Sequence, residues 1–262
     1  MMLVSDNLQI THPDIDRAVR TLDPAPIQDL VRRCVAAGAD AIDINSGPLV
    51  REPEKKMAFL VAAVRSVTDL PVFLDTTNPK AMEAGLRAAK GRTVINGFSL
   101  EPAKLEYILP LAGKYDVDII GYLLYPNSHV PGDESERLGV AVTLFEAFQK
   151  AGGNPERLII DPIVAPVMWE NGNRQNMAIL SVIRTLPDLL GFPVRTVAGL
   201  SNLTTGPGPR DRKRRLEAAY LPMLAEAGLT MALMNVLHTE TVQTARACEA
   251  LIGDRIFTWA GW

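Results

Sequence analysis

Short runs of Val, Ile, Leu and Met alternate along the chain with longer stretches whose apolar residues recur three or four apart. The short runs predict strands at Met2–Ser5, Ala41–Ile44, Val72–Leu74, Thr93–Ile95, Ile119–Leu123, Leu158–Ile160, Arg195–Leu200 and Thr230–Met234. The longer stretches predict helices at Pro24–Ala37, Pro53–Val67, Pro79–Ala89, Pro102–Tyr115, Ser135–Ala151, Asn176–Thr185, Lys213–Ala227 and Thr239–Ile252. In the first of these, Ile27, Leu30, Val31, Cys34 and Val35 share one face. Several helices open on proline, where a missing N–H costs nothing, and several close at glycine, as at Gly38, Gly152 and Gly228. Strands separated by helices pair in parallel through right-handed crossovers. Eight such units of about 33 residues predict an α/β chain folded as a single (β/α)8 TIM barrel over residues 1–262. A doubly wound open sheet is the structural alternative. Its nucleotide-binding form lacks support, since no GxGxxG or GxxxxGK[ST] turn follows the first strand.

Barrel enzymes place their chemistry at the C-terminal ends of the strands. Here those ends share one character: Asp6 and Asn7, then Asp43 and Asn45, Asp75, Asn96, Asp161, Ser201 and Asn202, and Asn235. Singly, each Asp or Asn reads as a turn or helix-cap residue. Together they make a ring of carboxylates and carboxamides suited to a planar heterocycle with donors and acceptors on its edge. The strand ends hold no Lys for a Schiff base and no Cys. His12, His129 and His238 are scattered, so no metal site is expected, although carboxylates alone would admit magnesium or manganese. His238 reads as a loop or cap residue, or as a group facing the site.

Composition narrows the setting. With 27 basic and 30 acidic residues the net charge is −3, against a nucleic-acid partner. Two cysteines, Cys34 and Cys248, predict reduced thiols. The opening residues carry no basic stretch of the signal-peptide kind, and no apolar run approaches the roughly 20 residues of a spanning helix. A cytoplasmic protein without membrane contact is expected.

The strings DPAPIQDLVRRCVAAGADAIDINSGP, LDTTNPKAMEAGL, VINGFS, IIDPIVAP and GLSN, in this order and spacing, resemble the methyltetrahydrofolate:corrinoid protein methyltransferases. These are pterin-binding barrels related to dihydropteroate synthase and to the folate domain of cobalamin-dependent methionine synthase. The resemblance covers essentially the whole chain. It implies that tetrahydrofolate or 5-methyltetrahydrofolate is the substrate and that a partner protein carries the corrinoid. It also implies that the chain forms a homodimer. It implies further that Asp75, Asn96 and Asp161 bind the pterin's pyrimidine side and that Asn202 lies near N5. Ser201 neighbours it, and Asp43 and Asn45 look like residues behind the pterin contacts or at the rim. Asn202 and Asp75 are the candidate catalytic residues, Asn202 as a donor to N5 and Asp75 acting through water. The expected activity is a methyltransferase of the EC 2.1.1 type, as the second methyltransferase of an O- or N-demethylase system.

Two stretches depart from the family. Where members open with a GERxN-like strand end, this chain has Ser5, Asp6, Asn7 and Gln9, which puts that loop's role in doubt. After GLSN comes a basic run of Arg210, Arg212, Lys213, Arg214 and Arg215. It reads either as a solvated helix start or as an anion contact for the folate tail or an acidic partner. Dihydropteroate synthase is the competing enzyme, but it expects lysines in DPGxGFxK and GxSRK turns where this chain has DPIVAP and GLSN. A non-catalytic folate-binding protein is the third reading.

Overall fold

The computed structural model describes residues 1–253. Eight parallel strands close into a barrel in sequential order: β1 Met2–Gln9, β2 Ala41–Asn45, β3 Val72–Asp75, β4 Thr93–Phe98, β5 Asp118–Tyr122, β6 Leu158–Asp161, β7 Arg195–Gly199 and β8 Met231–Met234. Among the described residues ten α-helices surround it: α1 Pro13–Thr21, α2 Ala25–Ala36, α3 Pro53–Arg65, α4 Pro79–Ala88, α5 Pro102–Tyr107, α6 Leu109–Tyr115, α7 Glu134–Lys150, α8 Gly172–Leu190, α9 Arg210–Glu226 and α10 Thr239–Ile252. The predicted barrel is therefore the observed one.

Helices α8 and α9 start four and three residues before their predicted first residues, and three larger differences stand beside these. Helix α1 was hidden by its shortness, although Ile15, Ala18 and Val19 form a buried stripe at helical spacing. The predicted helix over Pro102–Tyr115 is two helices, because Pro110 has no N–H to continue the ladder through Ile108. Helix α8 runs five residues past Thr185, carrying Pro187 near its end, and stops at Gly191 with φ +78°.

Side chains alternate along each strand between the barrel interior and the helix layer. Val4, Ala41, Phe73, Val94, Ile120, Ile159, Val197 and Met231 form the apolar interior. Below it, at the N-terminal ends, Asp118 is 4% exposed and meets Arg195 at 2.7 Å and Arg92 and Arg157 at 3.4 Å each. Burial raises the Asp118 pKa, but the three guanidinium groups outweigh it and hold the carboxyl below its ordinary range. Above the apolar layer the same alternation reaches the polar strand ends, so the barrel has a charged, neutralised base and a polar mouth.

Asp118→Asn should destabilise the protein by about 2–3 kcal/mol at pH 7, since it leaves Arg195 without its carboxylate. The ion cluster's contribution is present above the ordinary carboxylate pKa and is lost as pH falls through the lowered folded value. Urea unfolding should therefore show the deficit of the variant shrinking below about pH 4.

Candidate functional site

Each inward position at the top of the barrel follows from strand alternation above a known apolar neighbour. Asp43 follows Ala41 on β2 and Asn45 follows Asp43; Asp75 follows Phe73, Asn96 follows Val94, and Asp161 follows Ile159. The register pairs Asn45 with Asp75 and Asp75 with Asn96, which brings three predicted residues into one row. On β1 the register shifts between Ser5 and Leu8, and the irregularity delivers Asp6 and Asn7 to the same end.

Carboxamides separate the carboxylates. Asn45 Nδ2 donates to Asp75 Oδ2 at 2.6 Å, and Asn96 Nδ2 donates to Asp43 Oδ1 at 2.9 Å. Tyr122 OH donates to Asn96 Oδ1 at 2.7 Å, so both ends of the Asn96 amide are oriented. Asp161 Oδ1 accepts the Ile163 N–H at 2.8 Å. Asp75 and Asp161 each keep one oxygen without a protein partner among the described residues. Neither oxygen is sealed off, so both open toward the mouth. Asp43, expected either behind the pterin contacts or at the rim, lies at the floor: it is 2% exposed and accepts from Asn96. The close approach of β4 to β5 also depends on Gly97, where a Cβ would come within 2.4 Å of the Ile120 carbonyl oxygen.

Burial dominates the electrostatics. It raises Asp161 to about 7 against the single bond from Ile163, and Asp6 to about 6. Burial likewise raises Asp75 to about 6, against the Lys104 charge and the Asn45 bond that lower it. Asp43 is pushed well up by burial and by the neighbouring Asp75. The strand ends carry no lysine, as expected, yet helix α5 supplies one from the side. Lys104 Nζ lies 4.9 Å from the Tyr122 ring centroid and pulls on Asp75. Burial lowers its own pKa, while Glu101 and Asp75 raise it. Neither Tyr122 nor Lys104 belongs to the Asp/Asn pattern; a cation one turn into the helix after β4 was the available signal.

After β7 the chain enters a 3-10 turn, Leu200–Thr204. Ser201 and Asn202 are exposed there. Ser201 Oγ donates to Asp6 Oδ2 at 2.9 Å. A Cβ on Gly199 would meet Asn202 Nδ2 at 2.9 Å, so the carboxamide occupies the place of the inward side chain that β7 lacks. Asn7 Nδ2 donates to Asn235 Oδ1 at 2.7 Å, and Asn235 Nδ2 lies 3.2 Å from His238 Nε2. His238 thus faces this network from the start of α10, and burial followed by the nearby Arg214 lowers its pKa. Arg210, Arg212, Arg214 and Arg215 are exposed in the first turns of α9, and Lys213 is half-buried, its ammonium on the Gly206 carbonyl. The basic run is thus at the mouth end but outside the ring. Among the described residues no group of His, Cys, Asp and Glu is placed to hold a metal, and no helix is long and apolar enough to cross a membrane.

Raised carboxyl pKa values favour folding below the ordinary carboxylate pKa, and that advantage is lost as pH rises through about 6 to 7. Asp161→Asn keeps the acceptor for Ile163 and removes the costly charge. In denaturant melts it should be more stable than the parent at pH 8 by a few kcal/mol at most, one pKa unit being about 1.4 kcal/mol. The gain should vanish near pH 4.

A model of the pterin binding enzyme family matches residues 10–235. Methylcorrinoid:tetrahydrofolate methyltransferase of Eubacterium limosum is 23% identical over 258 residues, covering 97% of this chain and 92% of that protein. Methionine synthase of Mycobacterium leprae (strain TN) is 23% identical over 215 residues, 79% of this chain but 18% of that protein. Among solved structures, dihydropteroate synthase from Stenotrophomonas maltophilia superposes with a TM-score of 0.72 at 18% identity, covering 97% of this chain and 94% of that one. The Xanthomonas albilineans enzyme gives 0.70 at 20% identity, covering 97% and 92%. These structural likenesses show the fold, and the family match spans most of the strands that build the mouth: the chain belongs to the pterin binding enzyme family.

Proposed function

We propose that this chain is a methyltransferase that moves a methyl group between N5 of tetrahydrofolate and a corrinoid carried by another protein. The observation that carries the proposal is Asn202. It is a carboxamide with no hydrogen bond of its own among the described residues, held over Gly199 at the edge of the acidic ring. In this reading Asp75 and Asp161 offer their free oxygens to the adjacent N–H donors of the pterin's pyrimidine side, with Asn96 beside them. Asn45 and Asp43 support Asp75 and Asn96 from behind and below. N5 then faces strand β7, where Asn202 donates as charge shifts onto the nitrogen. The transfer is a displacement at the methyl carbon that needs no protein nucleophile: toward tetrahydrofolate, N5 attacks the cobalt-bound methyl, loses its proton, and the corrinoid leaves as Co(I) with the bonding pair, while in reverse Co(I) attacks and N5 leaves, which a tertiary amine does poorly without such a donor. Positioning and N5 stabilisation are the chain's contribution.

The Eubacterium limosum relative is named with methylcorrinoid as donor and tetrahydrofolate as acceptor, which favours that direction here and a place as the second methyltransferase of a demethylase system. Dihydropteroate synthase chemistry is disfavoured because the turn after β7 has Asn202 and Leu203 where GxSRK has arginine and lysine. The run Arg210–Arg215 adds a second argument. Four arginines and a lysine crowd the N-terminal end of α9, where the helix dipole disfavours cations, and only Asp211 offsets them. Such a placement favours a bound anion, which we assign to the folate glutamate tail or an acidic face of the corrinoid protein.

Mixing the protein with tetrahydrofolate and a methylated corrinoid protein, or free methylcob(III)alamin, should shift the corrinoid spectrum. No demethylation with any cognate protein or free corrinoid overturns the reading, as does clear incorporation of p-aminobenzoate into pteroate. Asn202→Ala should lower turnover about 100-fold while tetrahydrofolate binding weakens far less; equal losses would contradict a role at N5. Changing Arg212, Lys213, Arg214 and Arg215 to Ser should weaken polyglutamylated folate or partner binding most at low salt. Unchanged affinities for both would leave the run as a solvated helix start.

A further inference from the structure

We propose that Asp6 is a positioning residue: through Ser201 it fixes the turn after β7 so that Asn202 presents its carboxamide at the mouth. The kinetic consequence rests on the methyl-transfer reading, whereas the fixing of the turn stands on geometry. Asp6 is 7% exposed at the end of β1, and its side-chain partner is Ser201 Oγ at 2.9 Å, 195 residues later in the chain. No cation lies within ion-pair distance of it among the described residues. Glu217 from α9 and Asp43 from β2 add further negative charge around it. A carboxylate is a costly residue in such a place, and the return for that cost is a charge-assisted acceptor for Ser201.

The turn has two further anchors. The Leu203 carbonyl accepts the Val167 N–H at 2.9 Å, and Thr204 Oγ1 donates to Glu217 Oε1 at 2.5 Å. Asn202 lies between the Ser201 anchor and these two. Its backbone carbonyl accepts from Thr205 N at 3.2 Å, and its carboxamide alone is left without a bond. Removing the Asp6–Ser201 link takes away the side-chain anchor of the N-terminal half of the turn and leaves the bonds at Leu203 and Thr204 in place. Where the GERxN-like pattern has Glu and Arg, this chain has Asp6 and Asn7: Asp6 keeps a carboxylate and grips the turn after β7, and Asn7 grips the β8 turn in the same way at 2.7 Å.

The test uses the full-length protein, tetrahydrofolate and methylcob(III)alamin or a methylated corrinoid protein. Ser201→Ala and Asp6→Ala should each lower kcat by about 10- to 100-fold with KM for tetrahydrofolate within about threefold. Asp6→Asn, which keeps an acceptor, should recover part of the loss. In an Asn202→Ala background, Asp6→Ala should cost less than about twofold more, because both changes remove one device. Ser201 is exposed, so Ser201→Ala carries the test should Asp6→Ala fail to fold. A kcat within twofold of the parent for both variants, or effects that multiply with Asn202→Ala, overturns the proposal. Should the parent protein transfer no methyl at all, the functional reading falls and hydrogen exchange decides the structural claim. Amides 200–205 should then exchange about tenfold faster in Ser201→Ala while those of β7 are unchanged, and equal exchange in parent and variant overturns it.

Discussion

Several carboxyl groups share one end of a closed barrel, out of reach of most solvent, and the rest of the mouth is arranged around that crowding. Asp6, Asp43 and Asp161 are each less than a tenth exposed, and Asp75 is half-buried beside them. Like charges at this spacing in a low-dielectric setting repel, and burial adds its own penalty. The structure answers with carboxamides. Asn45 binds Asp75, and Asn96 binds Asp43 while accepting from Tyr122. Each amide donates to one carboxylate and stands between it and the next. Lys104 is the cation at this ring, and it serves Asp75 from a helix rather than from a strand.

The two ends of the barrel use charge in opposite ways. At the base, Asp118 is surrounded by Arg92, Arg157 and Arg195, its pKa is lowered, and its charge adds to stability. At the mouth the carboxyls are raised and their charge subtracts from it. The apolar layer from Val4 to Met231 insulates one from the other. A group kept at a cost to folding is explained by what it binds, so the mouth carries the functional argument and the base does not.

The barrel was legible in the sequence because the strands are short apolar runs, all but β5 followed by an Asp or Asn, and most helices repeat at 3.6. Helix α1 was not, since nine residues with three buried apolar positions give a weak period beside the polar turns around it. Within the site, Asp75, Asn96 and Asp161 were legible as the residue following the last inward apolar one. The depth of Asp43 was only partly legible: alternation puts it one inward layer below Asn45, while the register of β2 against β3 sets it level with Phe73 of the apolar layer. Lys104 and Tyr122 were hidden for different reasons. One reaches the ring from α5, and the other is an aromatic at a position where the pattern favours Asp and Asn. The bond from Ser201 to Asp6 joins residues far apart in sequence, and closure of the barrel alone brings them together.

A ring of this kind constrains the chemistry it can host. Its oriented groups are acceptors and amides, and its open oxygens belong to Asp75 and Asp161. Such a set binds a neutral edge rich in N–H donors and repels a free anion, so an anionic extension of the ligand must point away from the ring. The cations it would meet are displaced to the start of α9, the helix that follows the turn of Asn202. A ligand with a donor-rich ring and an acidic tail therefore has one orientation across this mouth. In the proposed reading the pterin ring lies over Asp75 and Asp161, the tail runs toward Arg210–Arg215, and N5 between them falls beside the turn that carries the Ser201–Asp6 bond.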